Sequence, residues 1–430
     1  MSPTSYSSCA HAENIRDVVS NIDNRIEEHR KRDATLVFEL PDGRPVPVGT
    51  EVQIELKQHA FQFGAMLGGF SSSSDASVNE IYRQRFLDAM NYATLIFIWD
   101  SYEPQPGQTE QTDRTAVAQW CRQKGVKVKG HSLVWNMEPP WAGRMSPEAA
   151  EKQMWKRVVR EPAAFRGLID TWDVFNESTE SMYHAKAKSA TAQLHALERL
   201  GIPQAVKRSF FLAKRADPDA TLLINDYETT EKYAKNIERC LELGADIDVI
   251  GIQSHMHKGY WGAEKIWDVC NRFARFGKPI HFTELTILSG QLMAKEDNDW
   301  SSQRGGWVST PRREKSQAAQ VREAYRLLFS HPSVEAISWW DLSDQYAWMG
   351  APAGLLRKDL SPKPAYYVVR DLIRKGWHTR VSQPSDASGQ IQMRGFYGEY
   401  AAKLEIGGRL YSGRFSLDRD QAGGIPVRLK

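Results

Sequence analysis

Eight times between residues 61 and 342 the chain repeats one pattern: a short apolar run that closes on side chains able to do chemistry. The runs are FQFGAML (61–67), TLIFIW (94–99), VKVKGHSLVW (126–135), DTWDVFNE (170–177), TLLINDY (221–227), DVIGIQSH (248–255), PIHFTEL (279–285) and EAISWWDL (335–342). Longer stretches with helical periodicity separate them, at 79–90, 113–123, 147–159, 203–215, 229–242, 261–275 and 312–330. Apolar runs of this length between amphipathic helices predict parallel strands covered on both faces. Eight strand–helix units over roughly 310 residues is the count of a (β/α)8 TIM barrel, an α/β fold. A doubly wound open sheet is the competing arrangement. It rarely puts polar residues at so many strand ends, and no GxGxxG follows any of the runs. In a barrel, the C-terminal strand ends form the site. There the polar tails would gather: His131 and Trp135, Asn176 and Glu177, Asn225 to Tyr227, Gln253 and His255, Glu284, and Trp340.

The two ends of the chain read differently. Residues 13–32 carry Ile15, Val18, Val19, Ile22 and Ile26 at helical spacing, which predicts one amphipathic helix. TLVFEL and EVQIELKQ, separated by the turn-rich PDGRPVPVG, predict two strands. The tail beyond residue 376 alternates in QIQMRGFYGEY, AKLEIGG and RLYSGRFSL, with turns at SDASG, IGG and AGG. We expect an N-terminal helical segment (1–33), a β segment (34–59), the barrel (60–375) and a second β segment (376–430). The two β segments would pair into one small accessory β-sandwich; a separate C-terminal sheet is the simpler alternative.

Composition excludes several classes of protein. With 41% apolar and 25% charged residues the chain is globular rather than disordered. A net charge of +3 without a polybasic block argues against nucleic acid as a partner. No stretch approaches eighteen consecutive apolar residues, so no membrane helix is expected. The amino end lacks a basic n-region and an apolar h-region. The expectation is a cytoplasmic chain as written, secreted or periplasmic if a leader has been removed. The four cysteines, Cys9, Cys121, Cys240 and Cys270, form no CxxC pair, so reduced thiols are expected. Fourteen tryptophans suit either packing or the stacking of sugar faces.

Glu177 and Glu284 each close an apolar run, at the fourth and seventh strands. Two carboxyls facing one another across a barrel mouth are what glycosidic bond cleavage needs: one protonated to donate to the leaving oxygen, the other ionised to attack the anomeric carbon.

The segments GHSLVW (130–135), WDVFNE (172–177), NDYE (225–228), GIQSH (251–255), FTEL (282–285), WDLSDQYAW (340–348) and LLRKDLSPKPAYYVV (355–369) resemble, in order and in strand position, the signature segments of glycoside hydrolase family 10. That resemblance covers roughly residues 60–375. It implies a retaining β-glycosidase, chiefly an endo-β-1,4-xylanase, acting on β-linked oligo- or polysaccharide. It also implies a catalytic pair in which Glu177 is the acid/base and Glu284 the nucleophile. Asn176 would hold the 2-hydroxyl of the sugar at the cleavage point, and His131, Trp135 and Gln253 would line that subsite. His255 would hydrogen-bond the nucleophile, Trp340 and Trp348 would wall the sugar, and Tyr227 would lie on the leaving-group side. Each histidine falls in a different role and no HExxH spacing exists, so neither metal nor cofactor is expected.

Departures from the family pattern bear on the substrate. Second strands in the family end in a Glu-Asn…Lys constellation, where this chain has NYATLIFIWDSYEP. We expect Phe97 and Trp99, or the loop after them, to occupy that place. Asn136 and Glu228 stand where the family has His and Asn. Two alternatives to a xylanase follow: a β-glycosidase with a different glycone or exo-action, and a non-catalytic carbohydrate-binding protein.

Overall fold

The computed structural model describes residues 14–184, 191–297, 307–421 and 423–430. Cys9 and the first thirteen residues lie outside that set. The eight barrel strands are Gln62–Met66, Tyr92–Ile96, Lys127–Val134, Thr171–Asn176, Thr221–Asp226, Val249–Ile252, Ile280–Ile287 and Val334–Asp341. All pair in parallel, each with the next in sequence. The eighth returns to the first through Ala336 opposite Gln62 and Ile337 opposite Phe63, so the sheet closes. The third, fourth and seventh strands are buried along nearly their whole length, as expected of strands with helices outside and a packed interior within.

The seven expected helices are present as Ala76–Ala89, Gln111–Gln123, Pro147–Ala164, Ile202–Ala216, Glu231–Glu242, Gly262–Ala274 and Pro311–Ser330. Local chemistry sets their starts. Ser146 and Thr310 cap helices whose first residue is proline, and Asp75 and Thr230 cap two others. Pro364–Asp371 follows the eighth strand, and Ala192–Leu200 is an additional helix after the fourth. The N-terminal stretch is two helices rather than one, Ile15–Ser20 and Ile22–Arg30. They meet at Asn21, whose side-chain amide donates to the Asp17 carbonyl. Val18, Ile22 and Ile26 are buried, whereas Val19 faces outward.

The strands at the two chain ends interleave. Lys31–Glu39 lies between Gln390–Phe396 and Ile425–Arg428 in a three-stranded sheet. Glu51–His59 lies between Arg380–Pro384 and Gly398–Ile406, with Arg409–Leu417 beyond, in a four-stranded sheet. Each N-terminal strand thus has C-terminal strands on both sides. Alternation puts Leu36, Phe38, Val52, Ile54, Met393, Tyr400, Phe415 and Val427 inside.

This module meets the barrel at the bottom, the end where strands begin. Phe61, Phe63, Phe329, Phe396 and Trp377 form an aromatic cluster there; the Phe329 and Trp377 rings stack 4.1 Å apart. Arg30 crosses from the N-terminal helix into the same region. Its buried guanidinium donates to the carbonyls of Phe329 (2.6 Å), His331 (2.5 Å) and Val334 (2.7 Å). Removing it would take a charged donor from three buried carbonyls, of which that of His331 keeps the Val334 N–H at 3.1 Å. Arg30→Ala is therefore expected to lower unfolding free energy by about 3–5 kcal/mol in urea titrations. The barrel mouth, at the opposite end, would be untouched.

Candidate active site

The fourth and seventh strands bring Glu177 and Glu284 to the same mouth, both buried. Glu177 leaves its strand with φ 54°, a left-handed turn that starts the helix Ser178–His184. Asp226, at the end of the fifth strand, supports that turn by accepting the Thr179 N–H at 2.8 Å. The Glu177 carboxyl then receives two donors, Trp135 Nε1 at 2.8 Å and Gln253 Nε2 at 3.0 Å. Burial raises its pKa well above the usual carboxylate range, and the neighbouring Glu180 carboxyl raises it further, outweighing those donors.

Glu284 is tuned the opposite way. Burial alone would raise its pKa, but the nearby His131, the His255 hydrogen bond and the Lys129 ammonium together bring it below the ordinary value. Asn225 Nδ2 donates to Oε1 at 2.8 Å, and His255 Nε2 lies 2.9 Å from Oε2. The Asn225 amide has one sensible orientation: Thr283 Oγ1 donates to its Oδ1 at 2.7 Å, which turns Nδ2 toward Glu284 and toward Asn176 Oδ1 (2.8 Å). Asn176 Oδ1 also accepts from Gln253 Nε2 at 3.3 Å. One amide chain therefore links the two carboxyls. The Asn176 Nδ2 donor, buried beside them, has no partner among the described residues.

Aromatic rings complete the mouth. Trp340 is buried with its ring 5.3 Å from His131 and 5.8 Å from His255. Trp348 stands 5.0 Å from His255, and Trp135 6.0 Å from His131. Tyr227 and Trp348 stay open to solvent, at 48% and 40% exposure. Trp339, one residue from Trp340, points the other way, fully buried and donating to the Ala353 carbonyl at 3.0 Å.

Of the ten site residues expected from sequence, nine are joined by these contacts. Tyr227 joins through electrostatics, its hydroxyl pKa raised by burial first and then by Glu180 and Glu177. The sequence reading missed the layer beneath. Lys129 Nζ and His131 Nδ1 both bond Asp173 Oδ2, at 2.8 and 2.7 Å, in a fully buried cluster. Lys129 lies two residues before His131 and so on the same strand face, a signal that was available. His131, Asp173 and Glu284 offer three ligand atoms within 4.8 Å of one another. The Lys129 ammonium already supplies the positive charge on Asp173 that a cation would bring.

The expectation for Phe97 and Trp99 is overturned. Phe97 is fully buried among Tyr102, Phe165 and Trp172, at 4.8, 5.0 and 4.9 Å. Trp99 packs on Trp141 and donates to Glu103. Both rings belong to the wall. The cause is strand alternation: Thr94 Oγ1 reaches Ser338 Oγ across the barrel interior at 3.4 Å, so the inward positions continue to Ile96 and not Phe97. Ile96 pairs with His131 in register, and both it and Ile98 are half-buried.

Comparison with known proteins agrees with this architecture. The family profile described as "Glycosyl hydrolase family 10" matches residues 55–372. The chain belongs to that family. It is 24% identical over 403 residues to "Anti-sigma-I factor RsgI6" of Acetivibrio thermocellus, spanning 91% of this chain and 47% of that protein. It is 28% identical over 292 residues to "Endo-1,4-beta-xylanase B" of Thermotoga neapolitana, spanning 64% of this chain and 78% of that protein. The fold matches the crystal structure of xylanase 10B from Thermotoga petrophila in complex with xylobiose with a TM-score of 0.61 at 23% identity. That match covers 74% of this chain and 95% of the other.

The buried cluster makes a direct prediction. Asp173→Ala would take from the buried Lys129 ammonium the carboxylate that it bonds. The expected cost is about 3–5 kcal/mol of unfolding free energy, measurable in denaturant titrations.

Proposed function

We propose that the protein is a retaining β-glycoside hydrolase cleaving β-1,4-xylan-type chains or xylo-oligosaccharides by double displacement. The observation that carries this reading is the meeting of two buried carboxyls in one mouth with separate partners, Trp135 and Gln253 on Glu177 and Asn225 and His255 on Glu284, and with pKa values shifted in opposite directions. Glu284, held ionised by His255, Asn225 and the His131–Lys129 layer, attacks the anomeric carbon. Glu177, held protonated by burial, gives its proton to the leaving oxygen. The resulting glycosyl-enzyme is hydrolysed by a water that Glu177, now ionised, deprotonates, so anomeric configuration is kept. The unpartnered Asn176 Nδ2 suits a sugar 2-hydroxyl beside Glu284. Trp340 and Trp348 wall the glycone, His131, Trp135 and Gln253 line the cleavage subsite, and Tyr227 takes the leaving-group side. No step calls for a cofactor.

A second reading of the substrate rests on Ile96 and Ile98. They offer no hydrogen bond where a further glycone sugar would lie, which favours a shortened glycone site or exo-action over a long endo-acting cleft. A second xylose on the glycone side of an aryl glycoside is then expected to raise kcat/KM by less than about tenfold, roughly one neutral hydrogen bond. A much larger gain would restore the endo-acting reading.

The catalytic assignment is tested by separating the two steps. Glu284→Ala should abolish turnover on every substrate. Glu177→Ala should spare the first step for aryl glycosides with acidic phenols and lose about 10²–10⁴-fold on poor leaving groups. Azide should restore turnover and yield a β-configured adduct. Equal damage to both substrate classes, with no azide effect, would remove Glu177 from its role. The wild-type kcat/KM profile should be a bell. Its acid limb lies below the ordinary glutamate pKa, where Glu284 takes up a proton; its alkaline limb lies well above that value, where Glu177 loses one. A ligand-bound crystal structure should put the two carboxyls about 5–5.5 Å apart; about 8–9 Å would mean inversion.

A further inference from the structure

Trp348 presents a physical problem. An indole left 40% exposed is not fixed by burial, yet its ring lies 5.0 Å from His255 and 5.5 Å from His257. The main chain sets where that ring starts. Residues 348–350 form a single tight turn in which Met349 has φ 61° and Gly350 φ 67°. The Gly350 and Ala351 N–H groups close it on the carbonyls of Ala347 and Trp348. The segment's near end is fixed by a buried ion pair: Lys363 Nζ lies 2.7 Å from Asp344 Oδ2, and Asp344 Oδ1 accepts the Gly354 N–H. The Trp348 N–H itself is taken by Asp341 Oδ1 at 3.0 Å.

Asp341 is the last residue of the eighth strand, directly after Trp340, and it is buried. Its second oxygen, Oδ2, has no partner among the described residues. A buried carboxylate with a vacant oxygen is costly, so the group needs a reason to be there. Burial first, then Asp344 and Glu284, raise its pKa to about 8, against the opposing pull of the Trp348 N–H and Lys363. Among the described residues Tyr82 also lies in its field, with the Tyr346 ring packed on Tyr82 at 5.9 Å. Near neutral pH the side chain is thus an uncharged acid that accepts one main-chain hydrogen bond.

We propose that Asp341 is a positioning residue: its hydrogen bond to the Trp348 main chain sets the indole against His255, and through His255 governs the hold on Glu284. The path is continuous. Asp341 Oδ1 receives the Trp348 N–H; the Trp348 ring abuts the His255 ring; His255 Nε2 bonds Glu284 Oε2, and its Nδ1 is steadied by Thr286 Oγ1 at 3.1 Å. The inference rests on the reading of Glu284 as the nucleophile.

Asp341→Asn keeps the acceptor and mimics the protonated acid, whereas Asp341→Ala removes the acceptor. Asp341→Asn is expected within about twofold of wild type in kcat/KM on an aryl β-xyloside. Asp341→Ala is expected to lose about ten- to a hundredfold through misplacement at a distance. Its acid limb of kcat/KM should move to higher pH, because a looser His255 stabilises the Glu284 carboxylate less. A merely structural role would lower the melting temperature and leave that limb in place. In a Trp348→Ala background the Asp341→Ala change should cost nothing further. Trp348→Ala alone should move the same limb in the same direction, which tests the path even if Asp341→Ala does not fold. The proposal fails if the losses add, if the limb stays fixed in either variant, or if Asp341→Asn is as damaged as Asp341→Ala. Covalent labelling by a 2-deoxy-2-fluoro-β-xyloside separates the two readings. Wild type that is not labelled on Glu284 refutes the assignment of the nucleophile. Labelled wild type together with an unmoved acid limb refutes Asp341 alone.

Discussion

Closure of the sheet is the constraint on which the rest depends. A parallel strand at an open edge would expose a row of unpaired amides and carbonyls. Here the pairing of Val334–Asp341 with Gln62–Met66 removes both edges at once. Once the ring is closed, alternation decides which side chains see the interior, and register decides their height. Thr94 meeting Ser338, and Ile96 standing opposite His131, are consequences of that closure. So is the convergence of side chains from the third to the eighth strands on one mouth.

Within that mouth the protein solves an electrostatic problem with few parts. Two carboxyls buried together would both rise in pKa. The neighbours of Glu284, namely His131, His255 and Lys129, lower its pKa and break the symmetry; Glu180 beside Glu177 widens the difference. The amide chain of Asn225, Asn176 and Gln253 joins the two without adding charge, so each keeps its own environment. That neutrality lets one site hold a proton donor and an anion at the same pH.

The barrel was legible because its signal is repeated eight times and strand ends are marked by polar residues. Glu177 and Glu284 were readable for that reason, as were the rings and amides near them. What escaped was information carried by strand faces. Phe97 and Trp99 were read as cleft residues because they are aromatic and near a strand end, but period-two alternation from Thr94 gives the inward place to Ile96. Lys129 and Asp173 were missed because a buried ion pair looks, in sequence, like two surface charges. The N-terminal helix was read as continuous because its apolar spacing is; the break falls at Asn21, whose side-chain amide shares the Asp17 carbonyl with its own N–H.

The interleaving of the end strands has a consequence for how the chain is made. Leu36 leaves the ribosome before the barrel is made, and its partner Ile425 only after it. The central strand of the three-stranded sheet therefore waits through synthesis of the whole barrel before either neighbour exists. Vectorial folding can complete the barrel first, with the N-terminal β segment tethered but unpaired at its base. The strands that follow the barrel then close the sheets: a product truncated within the barrel would leave Lys31–Glu39 and Glu51–His59 with open edges.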